Sequence, residues 1–337
     1  MKHQISKRDS ISIYIIKAFA MLSVIAAHVV EIDNSTPIEL FISYSWKLYG
    51  QVGVFLFFFF AGYCYQRTSN DGFEYWKRKL RFVIIPWIMC STLTYILNYI
   101  KRMTSAESRI AYCWPQWVLG SGTWYYFVTE YVLFLFIFKF LAQKDIRLVL
   151  CIAITPISLV ISSMGIMTKL LTTFCLTQYL NPFNWIGIFA LGIIIRKYNI
   201  RLCRKLFILI LEIIAGGGCA YYLCKQKIFT YFHPISLLFE LICALLIIQG
   251  VYFLYDHLYP NGVLSMLEMF GKNSYFSYLL HMQIVQAFCR NLSGGTIKQL
   301  FSPVLGALLM FLLLNIIVTI SRTLHLHKFL FLIGIKY

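Results

Sequence analysis

Apolar runs long enough to cross a lipid bilayer recur along this sequence from one end to the other. A bilayer core is about 30 Å thick, so a helix needs about 20 predominantly apolar residues to span it. Of the 337 residues, 60% are hydrophobic and 13% are charged, which is too apolar for an ordinary soluble domain. The runs are continuous rather than alternating, so they do not have the pattern of a membrane β-barrel. The sequence therefore predicts an all-α, polytopic membrane helix bundle.

We expect about ten transmembrane helices, one integral-membrane domain over residues 1–337 with no soluble domain, and a multi-pass location in the cell membrane. Most of the 30 Lys and Arg residues lie at the N-terminus and in every second loop. This bias predicts that both termini are cytoplasmic. The predicted spans are 11–31, 46–65, 82–100, 121–140, 147–165, 182–195, 205–224, 232–255, 273–290 and 303–321.

Charge and cysteine usage exclude several functional classes. The formal net charge is +17, but the basic residues are spread over loop ends, so we expect a lipid bilayer and no nucleic acid as partner. The ten cysteines contain no CxxC pair and lie mostly in apolar runs, which predicts neither a metal site nor a disulfide framework. Three tryptophans of the longest outer loop, Trp114, Trp117 and Trp124, are typical of anchors in the membrane interface.

The first predicted span carries two polar side chains, Lys17 and His28. Eleven residues of an α-helix return within about 20° of the starting direction, so both side chains lie on one stripe, about 16 Å apart along the axis. Glu31 follows three residues later on nearly the same face and is a candidate to orient the imidazole. Charged groups inside a membrane usually mark a pathway or a site. The alternatives are a lysine that extends to the headgroups and a hydrogen-bonded structural histidine.

Four other ionisable residues lie within predicted spans. His281 lies about halfway through the ninth span, and as an isolated residue it is equally consistent with a structural and a functional role. The three glutamates each lie near the middle of their span and are candidates either for a shared cavity or for helix association. They are Glu130, Glu212 and Glu240.

The second loop ends in a basic group, Lys77, Arg78, Lys79 and Arg81. The positive-inside rule alone explains such a group at a cytoplasmic face. The functional interpretation is a site for a phosphorylated cytoplasmic cofactor, because clustered Arg and Lys side chains bind phosphates well.

Several motifs in this order resemble the integral-membrane acyltransferase-3 family. The first helix of that family carries a basic residue, ten residues and then a histidine, and Lys17 and His28 match this spacing with Lys where Arg is usual. "FLFFFFAGYCYQ" resembles the second-helix pattern, with Gly62 in place. "RKLRFVIIPW" resembles the basic stretch before a proline, although Arg81 lies one residue further from Pro86 than the pattern has it. Three further segments of this chain resemble the fourth, sixth and ninth helices of the family, in that order. They are "TWYYFVTEYVLFLF", "FNWIGIFALGIIIRK" and "GKNSYFSYLLH".

The resemblance spans almost the whole chain and implies acyl transfer from a cytoplasmic acyl-CoA, most often acetyl-CoA, with succinyl-CoA as the alternative donor. It implies an acceptor hydroxyl on a cell-envelope glycan or lipid-linked sugar, as in the polysaccharide-modifying branch. In this interpretation His28 is the general base or a transient acyl carrier, and Lys17 positions the donor. Glu130 and His281 are further candidates for the same cavity. Arg78, Arg81 and Lys79 are the candidates for binding CoA.

Two other functional classes remain open at this level. A proton-coupled transporter or flippase for a polysaccharide precursor would use the glutamates and histidines inside the membrane. The sequence shows no pair of corresponding broken helices of the kind that marks many transporters. A membrane scaffold or sensor without chemistry would tolerate replacement of His28. The sequence gives no indication of a protein partner.

Overall fold

The structure is a computed structural model, and every regular element in the part that it describes is a helix. It describes residues 5–30, 36–65, 72–104, 113–121, 123–165, 177–200, 206–289 and 296–335. The α-helices are α1 (Lys7–Val29), α2 (Pro37–Tyr63), α3 (Gly72–Lys79), α4 (Ile85–Thr104), α5 (Trp114–Leu119), α6 (Tyr126–Leu141), α7 (Asp145–Ser163), α8 (Ile186–Lys197), α9 (Leu206–Lys225), α10 (Pro234–Leu258), α11 (Gly262–Lys272), α12 (Ser274–Cys289) and α13 (Thr296–Thr323). Shorter elements are a π-helix (Leu80–Ile84) and 3₁₀ turns at Gln178–Leu180, Pro182–Asn184 and His327–Ile333.

A helix lies in each of the ten predicted spans, and six helical segments of the described chain are long and apolar enough to cross a membrane. The other four predicted spans contain α2, α6, α8 and α12, of which the last three have 16, 12 and 16 residues. The all-helical membrane class is therefore confirmed, whereas the count of about ten and the position of the termini stay predictions. The six segments are Lys7–Val29, Gly72–Ile100, Asp145–Ser163, Phe207–Lys225, Pro234–Leu258 and Leu300–Thr323.

The chain forms two compact units. Unit 1 contains Met1–Phe60 and Tyr198–Ile317, and unit 2 contains Ala61–Lys197 and Val318–Tyr337. The assignment of residues 1–337 to one membrane domain stays a prediction.

Unit 1 is built around α1, which packs against α10, α11 and α12. The Ser6 side chain accepts a hydrogen bond from the backbone N–H of Asp9 and so starts the helix. Close packing depends on Gly271, because a Cβ at this position would collide with the Tyr14 carbonyl group. The backbones of α1 and α11 therefore approach each other closely, as small residues permit in membrane helix bundles.

Helix α2 runs antiparallel to α1 within unit 1. A Cβ at Gly50 would lie 2.9 Å from the Cα of Ala27, and one at Gly53 would lie 2.5 Å from the carbonyl oxygen of Ala20. The Ser23 hydroxyl accepts a hydrogen bond of 2.8 Å from the Gly53 N–H and donates one of 2.6 Å to the Tyr49 carbonyl. As the α2 numbers rise, their α1 partners fall, which fixes the antiparallel direction.

Unit 2 has an aromatic core. Phe134 and Phe138 of α6 pack on Phe189 of α8, with ring centroids 5.5 and 4.7 Å from it. A Cβ at Gly62 would collide with the Phe189 carbonyl group, so glycine is needed at this crossing. The Gly187 N–H donates to the Thr155 hydroxyl at 2.9 Å and joins α8 to α7.

The tryptophans of the predicted outer loop are only partly as expected. Trp117 is 9% exposed, and its indole N–H donates to Thr94 at 3.2 Å. Its assignment as an interface anchor is wrong, because the ring packs inside unit 2, where its polar N–H has a protein partner. Trp114 is exposed and donates to Thr92 at 3.0 Å. The segment turns back at Gly120, whose φ of 87° suits glycine.

Candidate active site

His28 and His281 lie against each other in unit 1. Their ring centroids are 5.2 Å apart and their planes are tilted by 43°. His281 is fully buried on α12, whereas His28, in the last turn of α1, is exposed. The His281 Nδ1 lies 2.8 Å from the Tyr278 carbonyl oxygen, and since a carbonyl only accepts, the Nδ1–H donates and orients the ring. Two residues predicted from separate parts of the sequence are thus neighbours.

Lys47 on α2 is a third basic group at this position, and the sequence analysis did not select it. Its ammonium donates to the carbonyl oxygen of Ala27, the residue before His28, at 3.2 Å. It also interacts electrostatically with the His28 ring. The sequence signal is a lysine at the second residue of the predicted span 46–65. A lysine at a span end is also typical of a loop residue, so this signal is weak.

Lys17 lies on the same stripe of α1 as His28, about 16 Å away along the axis. Its side chain is half-buried, with the ammonium 6.0 Å from the centre of the Tyr14 ring. Within the described part of the chain, no carboxylate forms an ion pair with Lys17. A lysine of this kind is suited to an anionic ligand, although extension to the headgroups remains the alternative.

The carboxylates of unit 1 have different surroundings. Glu212 accepts hydrogen bonds from the Gln249 amide at 3.1 and 3.0 Å, which joins α9 to α10 as expected for helix association. Glu240 is 1% exposed, and no described group hydrogen-bonds to its Oε1. Glu31, the predicted partner of the imidazole, lies outside the described residues.

Glu130 lies in unit 2 on α6. It is 2% exposed, and its Oε2 has no hydrogen-bond partner among the described residues. Glu130 belongs to unit 2, and the histidine pair belongs to unit 1. A shared cavity for Glu130 and His28 therefore stays a prediction.

The predicted CoA-binding residues lie together in unit 2, at the end of α3 and in the π-helix. Arg78 is exposed. The Lys79 ammonium donates to the Tyr131 hydroxyl at 2.6 Å and lies over the rings of Tyr75 and Tyr131. The Arg81 guanidinium lies 4.6 Å from the centre of the Phe331 ring. Arg78 thus presents its charge freely, whereas Lys79 and Arg81 are held by aromatic side chains.

Comparison with protein families shows which family this chain belongs to. A family model described as an acyltransferase domain, that of the acyltransferase-3 family, matches residues 10–322. The chain belongs to the acyltransferase-3 family. No curated protein and no solved structure matches the chain.

Membership of the acyltransferase-3 family makes this chain a membrane acyltransferase. The matched range begins in α1 and ends in α13. It contains the Lys17–His28 stripe, the partner imidazole of His281 and the basic group around Arg78. The polar groups inside the membrane are therefore part of the acyltransferase domain itself.

Proposed function

We propose that this acyltransferase-3 protein transfers an acyl group, most often acetyl, from cytoplasmic acyl-CoA to a hydroxyl of a cell-envelope glycan or lipid-linked sugar. The observation that carries this proposal is the exposed imidazole of His28, which contacts His281 and shares a helix stripe with the ammonium of Lys17. A hydroxyl is a poor nucleophile near neutral pH, and an accessible imidazole is the side chain best suited to take its proton.

The reaction is a simple displacement in this proposal. The acceptor oxygen forms a bond to the acyl carbon while His28 accepts the hydroxyl proton. The carbon–sulfur bond then breaks, and the CoA thiolate receives that proton. In the alternative route, His28 first carries the acyl group itself and passes it to the acceptor.

The charged groups suit a phosphorylated thioester. The Lys17 ammonium lies on the His28 stripe and forms no ion pair with a carboxylate of the described residues. Arg78 is exposed in unit 2. Both side chains bind phosphate oxygens well. Lys79 and Arg81 remain proposed CoA contacts, with their orientation set by Tyr131 and Phe331.

Labelled donor in isolated membranes tests the proposal. Membranes containing the wild type, His28→Ala or His257→Ala at equal levels receive acetyl-CoA labelled in the acetyl group. His257 is an exposed histidine near the end of α10 and serves as the matched control. We expect label in glycan or lipid-linked sugar with the wild type and His257→Ala, and none with His28→Ala. Label on the protein itself would identify the relay route.

Absence of transfer from both acetyl-CoA and succinyl-CoA, over a range of glycans, would contradict the proposal. Movement of a polysaccharide precursor that depends on the proton gradient would then favour the transporter or flippase. Normal transfer by His28→Ala would support acyl-CoA as the donor but would contradict a catalytic role for His28.

A further inference from the structure

Gln51 and Ser277 are among the buried polar side chains of unit 1 that have a group without a hydrogen-bond partner in the described chain. Gln51 on α2 is 2% exposed, and neither its Oε1 nor its Nε2 is hydrogen-bonded. Ser277 on α12 is 0% exposed, and its hydroxyl has no partner either. Buried polar groups are nearly always hydrogen-bonded, and one without a partner carries its full desolvation cost. A partner from outside the chain would explain why these two residues are polar.

Helix periodicity places both residues beside the histidine pair. Gln51 follows Lys47 by four residues, so it lies on the face of α2 that approaches His28. Ser277 precedes His281 by four residues and lies on the face of α12 that contacts His28.

The chain directions put Gln51 and Ser277 at the same end of the site. Helix α2 is antiparallel to α1, so Gln51 lies one turn from Lys47 in the direction of Lys17. Gly271, at the end of α11 and three residues before α12 begins, lies against Tyr14. His281 of α12 lies against His28, so α12 runs parallel to α1. Ser277 therefore also lies one turn from the histidine pair in the direction of Lys17.

The chemistry of the two groups matches an amide. A glutamine side chain accepts a hydrogen bond through its carbonyl and donates through its NH₂ group, and a serine hydroxyl does both. The pantetheine arm of an acyl-CoA carries amide groups between its phosphate end and its thioester. With the thioester at His28 and the phosphate end toward Lys17, an amide of this arm would lie about one helical turn from His28.

We propose that Gln51 and Ser277 form a binding subsite for an amide group of the donor's pantetheine arm. This subsite rests on the proposed function, because it orients the thioester of the same donor against His28. Gln51 and Ser277 are positioning residues in this arrangement. His28 is the residue that contacts the reacting atoms.

A series of thioester donors tests the subsite. Acetyl-CoA, acetyl-pantetheine, S-acetyl-N-acetylcysteamine and S-ethyl thioacetate carry progressively fewer groups, and the last has no amide. For Gln51→Leu and Ser277→Ala we expect kcat/KM to fall about 10-fold with the amide-bearing donors, the loss of about one hydrogen bond in the bound state. With S-ethyl thioacetate we expect a change of less than about 2-fold, since no amide remains to bind.

Ser236→Ala is the matched control. Ser236 is a fully buried serine on α10 whose hydroxyl likewise has no partner among the described residues. Its removal is expected to change neither donor preference nor activity. Thermal unfolding in detergent, with and without CoA, gives a readout besides activity. We expect CoA to raise the Tm of the wild type more than that of Gln51→Leu, with Gln51→Met as the substitute if the leucine variant does not fold.

The outcomes separate the subsite from the proposed function. An equal loss with all four donors, or no loss with any, would overturn the subsite and assign both side chains a structural role with bound water. A wild type that uses none of the thioesters would overturn the proposed function, and the subsite with it. A loss confined to amide-bearing donors is the result that only the subsite predicts.

Discussion

The imidazole ring centroids of His28 and His281 lie 5.2 Å apart, although the two residues are 253 positions apart along the chain. One ring is exposed and the other is completely buried, with its Nδ1–H held by the Tyr278 carbonyl oxygen. This asymmetry suggests a division of roles, because only the exposed ring is able to meet an acceptor hydroxyl. The buried ring is placed to fix the position of the other.

The two histidines should therefore differ in the size of their effects. We expect His28→Gln to lower kcat about 100-fold or more, as loss of general-base catalysis does, and His281→Gln to lower it about 10-fold through misplacement of His28. The double variant should be no slower than His28→Gln alone, because residues that act as a unit are not additive. Steady-state transfer of labelled acetyl measures all three, with His257→Gln as control. A double variant slower by the product of the single effects would show that the two rings act independently.

The sequence located the helices well because apolar length is a direct requirement of the bilayer. It placed boundaries less well. Helix α2 begins at Pro37, nine residues before the predicted start at 46, because Glu39, Ser43 and Ser45 interrupt the apolar pattern of its first turns. Helix α8 begins at Ile186, after a 3₁₀ turn that contains Pro182. The sequence does not predict which helices pack against each other, because lipid-facing and helix-facing residues are similarly apolar. Lys47 beside His28 and Trp117 inside unit 2 are both consequences of that limit.

The extra residue between Arg81 and Pro86 has a structural counterpart. The segment Leu80–Ile84 is a π-helix, whose wider turn takes up one more residue than an α-helical turn. A proline also lacks the N–H that would continue an α-helical ladder. The departure from the family pattern at Arg81 is therefore absorbed locally, and the α-helical residues on either side keep their phase.

Glycine at the two closest backbone crossings should be essential for stability. A Cβ at Gly271 or Gly62 would collide with a backbone carbonyl of Tyr14 or Phe189, which cannot move aside as a side chain can. We expect Gly271→Ala and Gly62→Ala each to lower the free energy of unfolding by about 1–3 kcal/mol, as overpacking does. Gly217 on α9 has no heavy atom near its Cβ position, so Gly217→Ala is the matched control and should leave the Tm unchanged or higher. Thermal unfolding in one detergent compares the three, and equal Tm values would contradict the packing.

The basic group of unit 2 should bind the phosphates of CoA rather than the thioester end of the donor. Arg78 is exposed and unconstrained by an ion pair within the described residues. We expect Arg78→Gln to raise KM for acetyl-CoA several-fold, about 1 kcal/mol of phosphate binding, with little change for acetyl-pantetheine. The effect should shrink at high salt because the charge is exposed to solvent. Lys77→Gln is the matched control, since Lys77 is exposed beside Arg78 and pairs with Glu74 at 3.7 Å. A KM that rises equally for both donors would exclude a phosphate contact.

Lys17 should be needed for its charge rather than for its shape. Its ammonium has no carboxylate partner in the described chain, so a positive group on the His28 stripe is available to the anionic end of a donor. We expect Lys17→Met to raise KM for acetyl-CoA at least about 10-fold, the range of a lost charge-assisted hydrogen bond, and Lys17→Arg to retain most of the affinity because the charge is kept. The difference between Lys17→Met and wild type should largely disappear with acetyl-pantetheine, which lacks the phosphates. If Lys17 only extends to lipid headgroups, both variants should instead keep the wild-type KM for acetyl-CoA, and Lys17→Met should show its effect in the Tm alone.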